Sequence, residues 1–402
     1  NQGSLELLPQ LILLRGARQL LTLRGPKGMR RGSALEDLGL IEDGSVLIRD
    51  GIIDCIGSTR RIENLKDARS AVQIPVPGTV IMPGFVDPGI HLSLYSAPAS
   101  PKARPKRKKM ADFQSESLAL LRSCLQHGTL NAQAKAFSNG AVAAADASML
   151  RQLARIGSSP VGAVRAWRVD SPADERALAK FQTRLAYIEK HKLAQAIELN
   201  FTSHASPEDA LMDALCAVAA RSSLPRNLCW PGGDPNWLGH LLGCIHPRSV
   251  FCPAGLGPEE CSLLAGSSSL AVFSPCKELL EERNNSSVRR FVEEGGAIAL
   301  ASGYDARDAP IFSMQMVVAL GVLHLRLTVE QAISATTINA AHAVGRADEI
   351  GSLEVGKRAD LLVLNLPDYR EIPRRFGINH VALAIRDGNL VLNRSRPKAS
   401  AI

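Results

Sequence analysis

The residues best placed to do chemistry close the stretch Val80 to Leu92, where an apolar run (Val80, Ile81, Met82) meets a Pro-Gly break and Phe85 and Val86 then lead to Asp87 and His91. An apolar strand that ends in a carboxylate and an imidazole delivers its polar groups at one end. A β/α barrel gathers its catalytic groups at that end of its strands. Imidazole can move a proton or hold a metal, but a single histidine at a strand end serves more often as a hydrogen-bonded structural group. A second kind of chemistry lies just beyond. Residues 101 to 110 carry six positive charges and no negative one, a run that could recruit an acidic partner, a nucleic acid or an anionic ligand near the strand end. No aromatic residues are interleaved with those lysines and arginines, as base stacking would require, so a solvated loop is the favoured reading.

The elements that must position these groups follow a simple pattern. Between residues 80 and 349, short apolar strands alternate with helical stretches, as in a parallel β/α fold. The expected strands are Gly84 to His91, Gly128 to Ala136, Val161 to Val169, Ala194 to Thr202, Asn227 to Trp230, Ser249 to Cys252, Leu270 to Ser274 and Ala297 to Ser302, which makes eight. Helices are expected from Ser287 to Glu294, stopped by Gly295-Gly296, and from Thr328 to Gly345, where Thr328 and Gln331 form a capping box. His127 and His324 are expected to be structural.

The chain ends read differently. Glu42-Asp43-Gly44 and Asp50-Gly51 punctuate apolar runs, and the unit around Asp50-Gly51 returns at Asp387-Gly388. Asp-Gly between apolar strands favours a tight hairpin. Two such units at opposite ends predict that residues 1–79 and 350–402 pair into one sheet domain flanking a central β/α insert of residues 80–349.

Composition narrows the function. With 46% hydrophobic and 21% charged residues the chain is that of an ordinary globular protein. Of the formal net charge of +8, six units belong to the 101–110 loop, leaving 8 − 6 = +2 for the rest, so the basicity does not argue for a nucleic-acid-binding surface. No apolar run has the length of a membrane span and the N-terminus shows no secretory pattern, so a cytoplasmic protein is expected. The eight cysteines form no CxxC pair, which argues against a disulfide framework or a zinc finger and for most of them being buried thiols.

Three stretches resemble imidazolonepropionases of the amidohydrolase superfamily: Leu20 to Gly57, Thr337 to Leu361 with Gly351-Ser352-Leu353-Glu354-Val355-Gly356-Lys357, and Asp368 to Val381. The last is the most specific, and the likeness is weak from about 92 to 285. The resemblance implies a β-sandwich plus a distorted (β/α)8 barrel of TIM type, with one divalent metal at the barrel mouth. In such enzymes a metal-bound water attacks a ring amide carbon while the ion polarises the carbonyl and a carboxylate moves the proton.

The resemblance also implies where the ligands should be. Gly89 stands at the first metal histidine and His91 at the second; Cys229 replaces a third, Gly232 the catalytic glutamate, and Gly303 the metal aspartate, with Asp305 two residues on. Cys252 falls at the sixth-strand position, the basic loop overwrites an arginine-bearing segment, and Trp167 falls near a substrate-binding histidine. Glycine has no side chain with which to ligate. The expectation is therefore a catalytically degenerate protein, a pseudoenzyme that acts as a non-catalytic subunit or small-molecule binder without a cofactor, either as a homo-oligomer or paired with a related subunit. The alternative is an active hydrolase of a carbon–nitrogen bond in a cyclic amide, with His91, Cys229, Cys252 and Asp305 as a rebuilt site for zinc or iron.

Overall fold

The computed structural model describes residues 10–95, 106–137, 143–157, 161–201, 209–253, 255–282 and 287–394. Two sheets organise them.

The larger body is a barrel of eight parallel strands, in order Phe85–Ser93, Thr129–Phe137, Gly162–Asp170, Ala196–Asn200, Arg226–Cys229, Ser249–Phe251, Leu270–Phe273 and Ile298–Leu300. Each lies within a few residues of its expected position. The strands are mostly apolar on the side that faces the surrounding helices, and these side chains form one continuous buried cluster. The first and last strands share no ladder, and two polar links draw them together. Asp87 is fully buried; it accepts hydrogen bonds from the Ser302 backbone (3.1 Å) and hydroxyl (2.5 Å), and the His91 backbone N–H donates to the Tyr304 carbonyl at 2.8 Å. The residue that looked like a reacting carboxylate thus closes the barrel. Burial pushes its pKa up, against the pull of its Ser302 and Gly89 hydrogen bonds.

The second sheet is built from both chain ends, in order Asn389–Asn393, Val381–Arg386, Leu361–Leu364, Val80–Pro83, Leu11–Leu21, Leu40–Arg49 and Ile52–Ser58, with Val72–Pro75 beside Leu11–Leu21. Ile12, Leu14, Val46 and Ile48 share a core with Leu361, Val363, Leu383 and Ile385. The two Asp-Gly hairpins meet through Ala359, whose N–H donates to the Gly51 carbonyl (2.8 Å) and whose carbonyl accepts from Gly388 N–H (3.2 Å). Asp360 next to it fastens sheet to barrel: one carboxylate oxygen accepts from Asn131 on the second barrel strand (2.7 Å) and the other from the Asp387 backbone (2.7 Å).

Three details differ from expectation. Val80–Pro83 pairs with Leu11–Leu21 and Leu361–Leu364, so it belongs to the terminal sheet, and the first barrel strand starts only after Gly84. Glu42-Asp43-Gly44 is no turn, because Leu40–Arg49 runs through it with Asp43 alone at positive φ. The helix capped by Thr328 does form its capping box but breaks at Thr337 into Val329–Thr336 and Ile338–Ala343. Among the described residues no helix is long and apolar enough to cross a membrane.

Candidate functional site

The C-terminal ends of the barrel strands surround a cavity of about 160 Å³. Arg168, from the third strand, is among the residues that line it. One guanidinium nitrogen donates to His91 Nδ1 (3.0 Å) and Glu198 (3.1 Å); the other donates to the Asn200 side chain (2.8 Å) and approaches Cys229 Sγ (3.6 Å). Asn200 in turn donates to Asp170 at 2.6 Å. Glu198 is shared: its second oxygen pairs with Lys135 Nζ at 2.5 Å, and both side chains of that pair are almost wholly buried. Burial opposes the charge on Arg168, but Glu198, Asp170 and the hydrogen bond to Cys229 outweigh it and keep its pKa above the ordinary guanidinium value.

Strand alternation explains this arrangement. Asn131, Gln133 and Lys135 on the second strand, Arg168 and Asp170 on the third, and Glu198 and Asn200 on the fourth are each two residues apart and so share a face. The intervening residues face the helices. Trp167 is one of them: it is buried, donates from its indole to Asp146 at 3.1 Å and stacks on Phe181. The residue expected near a substrate-binding position therefore lies on the other side of the strand, and Arg168 holds the inward place. Polar residues recurring at every second position of otherwise alanine-rich strands were the signal in the sequence that pointed to the true lining.

The four expected ligand residues do not gather. His91, Cys229 and Asp305 line the cavity. Cys252 does not: its thiol points back to the Val250 carbonyl of its own strand at 3.4 Å. Asp305 is held in a two-pronged pair with Arg307 at 3.2 and 3.1 Å, which lowers its pKa in spite of burial. Among the described residues, no three of these four bring ligand atoms within 4.8 Å of one another.

Electrostatics push the same way. His91 has its pKa driven well below the ordinary value of 6.5 by burial and then by Arg168, Lys135, Lys277 and Arg307, so its ring is neutral. Every charge that acts strongly on it is positive. Burial raises the pKa of Cys229 and raises that of Cys252 further, so both stay thiols. Two of the three glycine positions are also closed to a side chain. A Cβ on Gly89 would lie 2.9 Å from the Ala301 side chain, and Gly303, at φ +64°, would drive one into Ser274. Gly232, by contrast, sits in open space after the fifth strand. A divalent ion needs anionic or neutral donors converging on one point with no cation among them. As arranged these residues do not fit one: Arg168 contacts His91 and Cys229, Arg307 holds Asp305, and the Cys252 thiol faces its own strand.

The described end of the basic loop lies at this rim. Arg107 bridges to Tyr95, and Lys108 donates its N–H to the Leu94 carbonyl (2.7 Å) just past the first barrel strand while its ammonium pairs with Glu116. Residues 101–105 lie outside the described residues.

Comparison with known proteins agrees with this architecture. The sequence pattern of the amidohydrolase family matches residues 244–391, beginning after the fifth barrel strand. The imidazolonepropionase of Geobacillus kaustophilus is 27% identical over 95% of this chain and 98% of its own length. That of Symbiobacterium thermophilum is 28% identical over 96% and 99%. The chain is similar to imidazolonepropionases over nearly its whole length, and its residues 244–391 carry the amidohydrolase pattern. Solved structures show the same fold at greater distance: Escherichia coli guanine deaminase superposes with a TM-score of 0.67 at 15% identity over 96% of this chain and 99% of its own. A triazine hydrolase from Arthrobacter aurescens reaches 0.71 at 16% identity over 97% and 96%. This imidazolonepropionase-like chain thus keeps the frame over nearly its full length, while its mouth carries the guanidinium described above.

Proposed function

We propose that this protein is a catalytically degenerate imidazolonepropionase-like pseudoenzyme of the cytoplasm, whose barrel mouth binds a small carboxylate without hydrolysing it. The observation that carries this reading is Arg168, hydrogen-bonded at once to His91 and Cys229, the two lining residues that stand at metal-histidine positions.

The chemistry follows from the residues. Hydrolysis of a ring amide at neutral pH needs an activated water and a carboxylate free to move its proton. A guanidinium can neither deprotonate water nor give up its own proton. Glu198, the acid nearest to it, is committed to Lys135 and Arg168, and Gly232 supplies no carboxylate in its place. What the mouth offers instead is a neutral imidazole and a positive field, with Arg168, Lys277 and Arg307 on the cavity wall. A bound carboxylate would exchange the guanidinium's contacts with the His91 ring and the Cys229 sulfur for two parallel hydrogen bonds of its own.

Calorimetric titration with imidazolone propionate, paired with an assay of ring opening, tests this. Binding is expected with no turnover, and zinc or iron should not change that. Metal-dependent ring opening that chelators abolish, and that Cys229→Ser removes, would establish the active-hydrolase reading instead.

A further inference from the structure

A second set of cysteines and a histidine gathers outside the barrel mouth, on two helices of the outer layer. The helices Asp209–Arg221 and Pro235–Ile245 follow the fourth and fifth barrel strands and pack against each other. Asp213 and Cys216 lie three residues apart on the first, and His240 and Cys244 four apart on the second, so each pair occupies one helix face. The two faces meet. One ligand atom each from Cys216, His240 and Cys244 lies within 4.8 Å of the others, the only such trio among the described residues. Cys216 and Cys244 are joined as a disulfide with Cα atoms 5.7 Å apart, the other six cysteines being free, and Asp213 Oδ1 lies 3.2 Å from His240 Nε2. Beside them opens a cleft of about 450 Å³ lined by Asp213, Trp237 and His240.

We propose that Cys216, Cys244 and His240 form a zinc site when the two sulfurs are reduced, and that the disulfide is its closed, metal-free state. Two thiolates and an imidazole are a zinc-binding set, and a tetrahedral ion with bonds of about 2.3 Å to sulfur holds two sulfurs about 3.7 Å apart. The Cα separation allows either state with small side-chain movements. A carboxylate hydrogen-bonded to the ligating imidazole, here Asp213, is the usual orienting partner in such sites. The cleft gives water access to the fourth position. The exchange balances: a dithiol reductant delivers two electrons and two protons, breaks the S–S bond and leaves as its own cyclic disulfide. Zn²⁺ then displaces the two thiol protons as the two S–Zn bonds form. The fold helps, because both ligand pairs ride on regular helices anchored by buried leucines such as Leu215, Leu241 and Leu242.

Cobalt titration of the full chain, reduced with a phosphine and then freed of it, tests the proposal. One cobalt per chain with thiolate-to-cobalt charge-transfer absorption is expected, displaced by zinc. Cys216→Ser and Cys244→Ser should each abolish that absorption, and Cys229→Ser should leave it intact. Asp213→Asn should weaken affinity by about 10-fold or more, the range for an orienting partner. If the cysteine variants fail to fold, His240→Ala at its exposed position carries the test, with affinity lowered by at least that factor. The unreduced chain should bind no cobalt and show six reactive thiols after denaturation against eight once reduced, from its six free cysteines. Absence of the charge-transfer band in the reduced protein, or its persistence when both cysteines are replaced, would overturn the proposal.

Discussion

The molecule holds two sets of one histidine and two cysteines, and only one of them is assembled. At the barrel mouth, His91, Cys229 and Cys252 stand on three strands, and what keeps them apart is the cation between them and the backward turn of the Cys252 thiol. On the flank, Cys216, His240 and Cys244 stand on two helices and converge within 4.8 Å. Position at a strand end is therefore not enough to make a metal site. The charges around Arg168 and Asp305 at the mouth are already paired to other charges, while the flank trio has Asp213 against His240 and a cleft beside it.

The sharpest way to break this comparison is to take the guanidinium out of the mouth. Arg168→Met leaves Glu198 paired with Lys135 alone and removes the group expected to grip a carboxylate, so ligand affinity should fall by about 100-fold, or roughly 3 kcal/mol. Titration calorimetry reads it, and an unchanged affinity would detach the proposed binding from this residue. A somewhat smaller effect is expected from trying to rebuild the metal position. Gly89→His should cost about 2 kcal/mol of stability in urea unfolding, since its Cβ already meets Ala301, and should gain no metal.

Acid should act more gradually. His91, His342 and His380 all have pKa values below the ordinary 6.5, each chiefly through burial. The unfolded chain therefore takes up protons below pH 6.5 that the fold resists, so stability is complete above that pH and declines as pH falls from 6.5 toward the folded values. Urea midpoints between pH 7.5 and 5 should show this slope, and His91→Gln should flatten it. A slope identical in that variant would remove His91 from the account. The smallest effect belongs to the rim: Lys108→Ala breaks a pair whose Glu116 partner is solvent-exposed and should change stability by less than about 1 kcal/mol.

The uneven legibility of the sequence has physical causes. Eight apolar strands and two Asp-Gly hairpins could be read because burial and turn geometry demand particular residue types over short windows. The side a strand residue faces depends on register, and one step separates Trp167 against a helix from Arg168 on the cavity wall. Local pattern also could not tell that Val80–Pro83 would pair with strands from both chain ends. Likewise, Cys216 and Cys244 are 28 residues apart, on helices whose packing alone decides that they meet. Losses at Gly89 and Gly303 could be read as missing side chains. That their places are closed by Ala301 and Ser274 could not.

The central claim, that a guanidinium stands where a divalent ion would be held, is tested most directly by metal analysis of protein carrying Cys216→Ser and Cys244→Ser, which removes the flank site from the count. After loading with zinc and gel filtration, this variant should retain far less than one ion per chain, whether Cys229 is intact or replaced. Retention of one ion per chain that disappears on adding Cys229→Ser would contradict it.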